Sequence, residues 1–278
     1  MRLFLMKAAA VFLITGSALW VQAPEKKGEK KEFSENTNPE GVKTIAVEKA
    51  DAKSIEEETL PDVVVTATRE EEKRRDVPMS IGKIKRDSIK DTKPIHPSEL
   101  MNQSPGVFVN TTSGEGHQTM IRHPITTGSV YLYLEDGVPT RSPGFFNHNA
   151  LFEINVPQAG GIEIIKGPGS ALYGSDALGG VVNVLTRPVT KDREVDLSFE
   201  YGGFGWKRLL ASAGEKFGDH AVRVDGNMTD SKGWRDGTKY SRQSGTLRWD
   251  ASLGKHKFKT VVTASNIDQQ SAGAAALR

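Results

Sequence analysis

The 278-residue chain contains no cysteine, which removes disulfide frameworks, thiolate metal sites and thiol nucleophiles. It has no charge excess either: 37 basic against 35 acidic residues give a net charge of +2, and no field of that size argues for a nucleic-acid partner. No apolar stretch reaches the roughly 20 residues that a spanning helix needs. The nearest to one, AAAVFLITGSALWV from Ala8, follows Arg2 and Lys7 and passes small residues at Ala18 and Ala23. A charged start, a short apolar core and a small-residue site read as an export signal over residues 1–23, cut after Ala18 or Ala23. No acid, base and nucleophile assemble in the sequence, so no catalytic residue and no enzyme is expected. His96, His117, His123 and His148 lack metal-ligand spacing and read as polar loop residues rather than a metal site.

What is present begins with a solvated segment. Residues 24–59 alternate Lys and Glu with Asn, Pro and Gly, too polar to offset ordering entropy by burial, and read as a disordered tether. Residues 60–69, LPDVVVTATR, are a short extended run of β-branched residues with no neighbouring sequence to build a sheet. It reads as a strand awaiting a partner.

A folded unit is expected over residues 76–188. Ser98 followed by Glu99, Leu100 and Met101 can cap a short helix that stops before Ser104 and Pro105. Apolar alternation in SVYLYLEDGVPT ends at Asp136-Gly137, a hairpin signal. The stretch GGIEIIKGPGSALYGSDALGGVVNVLT is an apolar strand, a glycine-dense turn and a second apolar strand. It is not a phosphate loop, because Lys166 precedes the glycines instead of following them.

Over residues 194–278 the period is that of strands about ten residues long, as in barrels that cross a membrane. Val195, Leu197 and Phe199 share one face and Asp196, Ser198 and Glu200 the other, while Ala221, Arg223, Asp225 and Asn227 oppose Val222, Val224 and Met228. A soluble sandwich has the same period. The links tilt the choice: those near Phe217 to Asp219 and at Gly254-Lys255 are short and that from Asp230 to Tyr240 is long, the asymmetry of an outer-membrane barrel.

The chain resembles the TonB-dependent outer-membrane receptors. Residues 163–188, EIIKGPGSALYGSDALGGVVNVLTRP, are similar to the end of their plug domain, with Gly167, Pro168, Ser170, Leu172, Tyr173, Gly174, Gly179, Gly180 and Asn183 in place, and LPDVVVTATR is similar to their TonB box. Arg122 matches the arginine of the family's "IRG", with His123 where glycine is usual; Asp136 and Gly137 match its "DG" strand end; Lys166 stands where arginine is usual. The resemblance implies an α+β plug domain followed by the first strands of an antiparallel transmembrane β-barrel, which in the family closes with about 22 strands. Only about five are visible, so a truncated receptor is expected. It implies that the glycines pack close to a curved wall, and that Lys166 contacts that wall less firmly than arginine would.

It further implies an outer-membrane location in a Gram-negative bacterium, contact with outer-membrane lipid, and active transport of a scarce nutrient, most often a ferric siderophore or other iron chelate, with cobalamin the alternative. A binding protein that does not transport is the other alternative, because so few strands are present. No intrinsic cofactor is implied. Asp62, Val63, Val64, Val65, Thr66 and Ala67 would add as a strand to the C-terminal domain of TonB and so to the inner-membrane energising complex. Ligand contacts would come from plug loops 111–118, 124–128 and 141–149, including Thr126, Thr127, Arg141, Phe145, Phe146, Asn147 and His148. Arg141 would meet an anionic chelate, and the two phenylalanines would either face ligand or pack the plug.

Overall fold

The computed structural model describes residues 63–64, 66, 72–142 and 149–270. The export signal, the tether, Asp62, Val65, Ala67 and residues 145–148 lie outside the described residues.

The chain opens with a two-stranded pair, β1 (Val63–Val64) against β2 (Glu72–Lys73), antiparallel. The segment expected to lack a sheet partner has one of its own, because the chain returns on itself within eight residues. Next come β3 (Ile81–Lys85), α1 (Arg86–Thr92) and α2 (Ser98–Met101). Ser98 does not cap α2: Pro97 holds the cap position and the helix start has no side-chain cap. Glu99 instead accepts from the backbone N–H groups of Ile95 and His96, both at 3.3 Å.

β4 (Val107–Thr111) and β5 (His117–Ile121) form a separate antiparallel hairpin, and β6 (Tyr131–Glu135) turns into β7 (Val138–Pro139) as the sequence led one to expect. Asp136 and Gly137 take φ of 47° and 84°, the left-handed pair that a two-residue hairpin requires. β8 (Gly161–Ile165), α3 (Ser170–Tyr173) and β9 (Gly180–Leu185) complete the plug. Its main sheet has the order β3-β8-β9-β6-β7, with β6 and β9 parallel and the other neighbours antiparallel.

The continuous apolar runs YLYL, GIEII and GVVNVL belong to strands covered on both faces. Ile84, Ile89, Leu100, Met101, Tyr131, Tyr133, Ile162, Ile164, Val182 and Val184 pack on one side with the β4–β5 hairpin, and Leu132, Leu134, Ala177 and Val181 on the other. The glycine-dense turn is tight against the plug itself. A Cβ on Gly180 would lie 2.7 Å from the Ile165 carbonyl and one on Gly179 2.6 Å from the Tyr131 ring.

β10 (Arg193–Tyr201), β11 (Lys207–Phe217), β12 (His220–Ser231), β13 (Tyr240–Leu253) and β14 (His256–Gln269) form one antiparallel meander. Its faces decide between barrel and sandwich. Val195 (74 % exposed), Leu197 (75 %) and Met228 (61 %) point outward, while Arg208, Arg223, Asp225, Asn227, Arg242 and Arg248 are buried. A sandwich would bury the first set; a lipid-facing barrel wall around a polar interior presents this arrangement. Two-residue turns join β11 to β12 and β13 to β14, whereas residues 232–239 separate β12 from β13.

Inward-facing side chains of the wall hold the plug by its backbone. Arg208 donates to the Pro94 carbonyl at 2.6 Å, Arg242 to that of Ile154 at 2.5 Å and Arg248 to that of Thr186 at 2.7 Å. Arginine suits this interface, since its planar fork satisfies several acceptors from one buried cation.

Candidate functional site

The two ends of the plug carry different chemistry. At the short-turn end, Thr66 is fully buried and its polar atoms are all engaged. Its backbone N–H donates to Glu163 Oε2 at 2.8 Å and its hydroxyl donates to the same oxygen. Asn183 Nδ2 donates to the Thr66 hydroxyl at 3.0 Å, and the Tyr173 hydroxyl donates to the Thr66 carbonyl at 2.7 Å. Glu163 comes from β8, Tyr173 from α3 and Asn183 from β9, so the glycine-rich turn acts as a clamp around one residue. Val64 is buried beside Val77 and Ile81.

Asn183 also ties this clamp to the wall. Its Oδ1 accepts the Gly137 N–H at 3.0 Å, neighbouring Asp136 accepts from the Thr186 N–H at 3.1 Å and from its hydroxyl, and Arg248 of β13 donates to Thr186. Lys259 of β14 stands 3.9 Å from Asp136. A cavity of about 410 Å³ opens among Thr66, Asp136, Tyr173, Asn183, Arg248 and Lys259. Burial in unpaired form would cost each of these polar groups about 1–3 kcal/mol, which is why they form one connected network.

The sequence reading passed over Glu163 as a site residue and took Asn183 only as part of the motif. The signal available was a single polar residue inside each of two otherwise apolar runs, GIEII and GVVNVL; a buried strand tolerates such a residue only when it has a partner.

At the long-loop end, a cavity of about 530 Å³ lies between the β4–β5 hairpin, Ile95, His96 and the links 202–206 and 232–239. Trp206 donates its indole N–H to the Tyr240 hydroxyl at 3.0 Å. Phe204 (67 % exposed) and Trp234 (62 %) border this cavity, and the Arg235 guanidinium stands 4.7 Å over the Trp234 ring. His96 Nε2 lies 3.3 Å from the Glu115 carbonyl and Nδ1 accepts the Ser98 N–H at 3.1 Å, which assigns the proton to Nε2. Burial lowers its pKa to about 4, the carbonyl contact opposing weakly. Glu115 is paired with Arg242 at 2.6 Å; burial pushes its carboxyl up while Arg242 pulls it down.

Arg141, expected as a ligand contact, is engaged by neighbouring plug residues. It donates to Glu153 at 2.9 Å and Asn149 at 2.8 Å, and its guanidinium lies 5.2 Å from the Phe152 ring centre, with 11 % of the side chain exposed. Its charge is committed inside the plug. Thr126 accepts the Gly128 N–H at 3.0 Å in an exposed loop that also carries Thr127. Arg122, at a φ of 55°, donates to the Lys166 carbonyl and to Ser80, and Lys166 donates to the Pro105 carbonyl at 3.2 Å. Lys166 therefore contacts the plug. Gly167 and Gly174 take φ of 151° and 87° beside it, with open space where a Cβ would stand, and Pro168 is exposed.

Residues 73–181 match the family described as the TonB-dependent receptor plug domain. Over 183 residues the chain is 31 % identical to the vitamin B12 transporter BtuB of Vibrio vulnificus (strain CMCP6), a match covering 64 % of this chain and 29 % of that protein. The ferripyoverdine receptor of the outer membrane of Pseudomonas aeruginosa superposes with a TM-score of 0.60 at 17 % identity, covering 74 % of this chain and 27 % of that one. The alcaligin outer-membrane receptor FauA from Bordetella pertussis gives 0.60 and 17 %, covering 74 % and 35 %. The chain thus spans about a third or less of the length of these proteins. Residues 73–181 are thus a plug domain of the TonB-dependent receptor kind, and the five antiparallel strands after it share the fold of these outer-membrane receptors.

Proposed function

We propose that this chain serves energised uptake of a scarce small-molecule nutrient across the outer membrane, with residues 62–67 as the strand that docks on the C-terminal domain of TonB. The observation that carries the reading is the clamp on Thr66. A β-branched segment held by four hydrogen bonds at the short-turn end, which faces the periplasm in such barrels, is stowed yet releasable. Strand addition needs extended backbone more than particular side chains, which suits DVVVTA. An iron chelate is the expected cargo, as for the pyoverdine and alcaligin receptors whose fold it shares. Identity with the vitamin B12 transporter favours a corrinoid as the second reading.

The test is Val64→Pro, which removes one backbone donor from the augmenting strand. Uptake should fail while ligand binding to the same membranes persists. Uptake at the unmodified rate would remove residues 62–67 from the transport mechanism.

A further inference from the structure

We propose that the outward face of the wall, at its short-turn end, holds the headgroup of an anionic phospholipid of the inner leaflet, with the imidazole of His220 as a donor to its phosphate. The inference concerns the wall alone and is independent of the cargo.

The site is built on β11, β12 and β13, each of which has both its sheet neighbours. Phe217 stands opposite His220 in the β11–β12 register. The His220 ring stacks against Phe217 on one side, with ring centres 5.6 Å apart and planes at 28°, and against Trp249 on the other, at 5.9 Å and 18°. Stacking on two sides fixes the imidazole plane and leaves its edge for polar contact. Nδ1 is shut off from solvent without a hydrogen-bond partner. Placing the proton on Nε2 spares the chain a buried N–H with no acceptor. Nε2 is then the donor that the ring offers outward, and no acceptor for it exists among the described residues.

This face turns Leu197, Val224 and Met228 outward, and its short-turn end lies at the level of the inner-leaflet headgroups. Aromatic rings at that level are common to membrane barrels. An imidazole between two of them adds a donor that an acyl chain leaves unsatisfied and a phosphate accepts. The nearby charges select the sign of the headgroup. The second turn runs Gly254-Lys255-His256-Lys257 with no acid beside it, and Lys216, which donates to the Thr190 carbonyl at 3.1 Å, precedes Phe217. Against them stand Asp219 in the first turn and Glu215, the latter already paired with Arg193 at 2.9 Å. Exposed lysines in excess at a membrane surface favour an anionic lipid over a zwitterionic one, which commits the site to a phosphatidylglycerol-like headgroup.

The test reconstitutes the full chain in phosphatidylcholine nanodiscs carrying a graded fraction of one brominated lipid: phosphatidylglycerol, phosphatidylethanolamine or phosphatidylcholine. Quenching of Trp249 is read as the difference between each protein and the same protein with Trp249→Phe. Brominated phosphatidylglycerol should reach half-quenching at about fivefold lower mole fraction than either zwitterionic lipid, the size expected of one favourable charge contact at a membrane surface. His220→Phe keeps the ring stack and removes the donor, and should reduce the ratio to about twofold or less. Lys255→Gln, outside the stack, should also reduce it. Equal quenching by the three lipids in the unmodified protein, a preference for phosphatidylethanolamine, or a phosphatidylglycerol preference that survives His220→Phe unchanged would each overturn the proposal.

Discussion

Asn183 Nδ2 donates to the Thr66 hydroxyl at 3.0 Å while Asn183 Oδ1 accepts the Gly137 N–H at the same distance. One amide thereby holds the segment expected to meet TonB and the β6–β7 turn, whose Asp136 is bonded to Thr186 and through it to Arg248 of the wall. Any movement of this turn relative to the wall acts on the clamp.

Asn183→Leu keeps a branched side chain of similar shape and deletes both bonds. Losing a hydrogen bond between buried groups costs about 1–3 kcal/mol, and here the loss falls on the stowed state. The ligand-free variant should bind the isolated C-terminal domain of TonB about tenfold or more tightly than the unmodified protein, in a pull-down or titration. Equal affinity would mean that the clamp does not restrain the segment.

Tyr173→Phe removes one oxygen, the donor to the Thr66 carbonyl. The ring is only partly buried, so folding should be unaffected. Release should increase by about fivefold, corresponding to about 1 kcal/mol for one neutral hydrogen bond. Proteolysis within residues 60–71 of the ligand-free protein checks it.

Arg242→Met strips the buried Glu115 carboxylate of its counter-ion. Breaking a buried pair from one side costs about 3–5 kcal/mol, so the thermal midpoint should fall clearly. Adding Glu115→Gln should restore much of the loss, because the uncompensated charge is then gone. A double variant as unstable as the single one would show that the lost bond to the Ile154 carbonyl, not the charge, sets the cost.

His96 should make plug stability depend on pH. Its pKa is about 4 in the folded state against 6.5 for a free imidazole, so below pH 6.5 the unfolded chain takes up a proton that the folded chain refuses. The stabilisation is present above pH 6.5 and is lost as pH falls from 6.5 towards 4, by about 3 kcal/mol in total. His96→Gln should flatten that part of the denaturation profile. Parallel profiles would place the titration elsewhere.

Much of this architecture was legible because it follows from period and turn chemistry. The five wall strands, the Asp136-Gly137 hairpin and the two long plug strands are dictated by alternation, a left-handed pair and unbroken apolar runs. What was not legible depends on tertiary neighbours. The partner of Val63–Val64 is Glu72–Lys73, two charged residues with no strand character of their own. Ser98 does not cap α2 because Pro97 holds that position, and the Ser98 hydroxyl lies 2.8 Å from His96 Nδ1 instead. Nothing in the sequence reveals Glu153, twelve residues on, as the ion-pair partner of Arg141.

The most direct test of a stowed and releasable docking strand exploits the absence of cysteine from the chain. Thr66→Cys with Asn183→Cys replaces a 3.0 Å hydrogen bond by the sole disulfide, measured as ligand binding and uptake before and after reductant. Oxidised protein should bind ligand without uptake, and reduction should restore uptake. Full uptake through a receptor whose disulfide is shown to be formed would contradict release of this segment as the step that engages TonB.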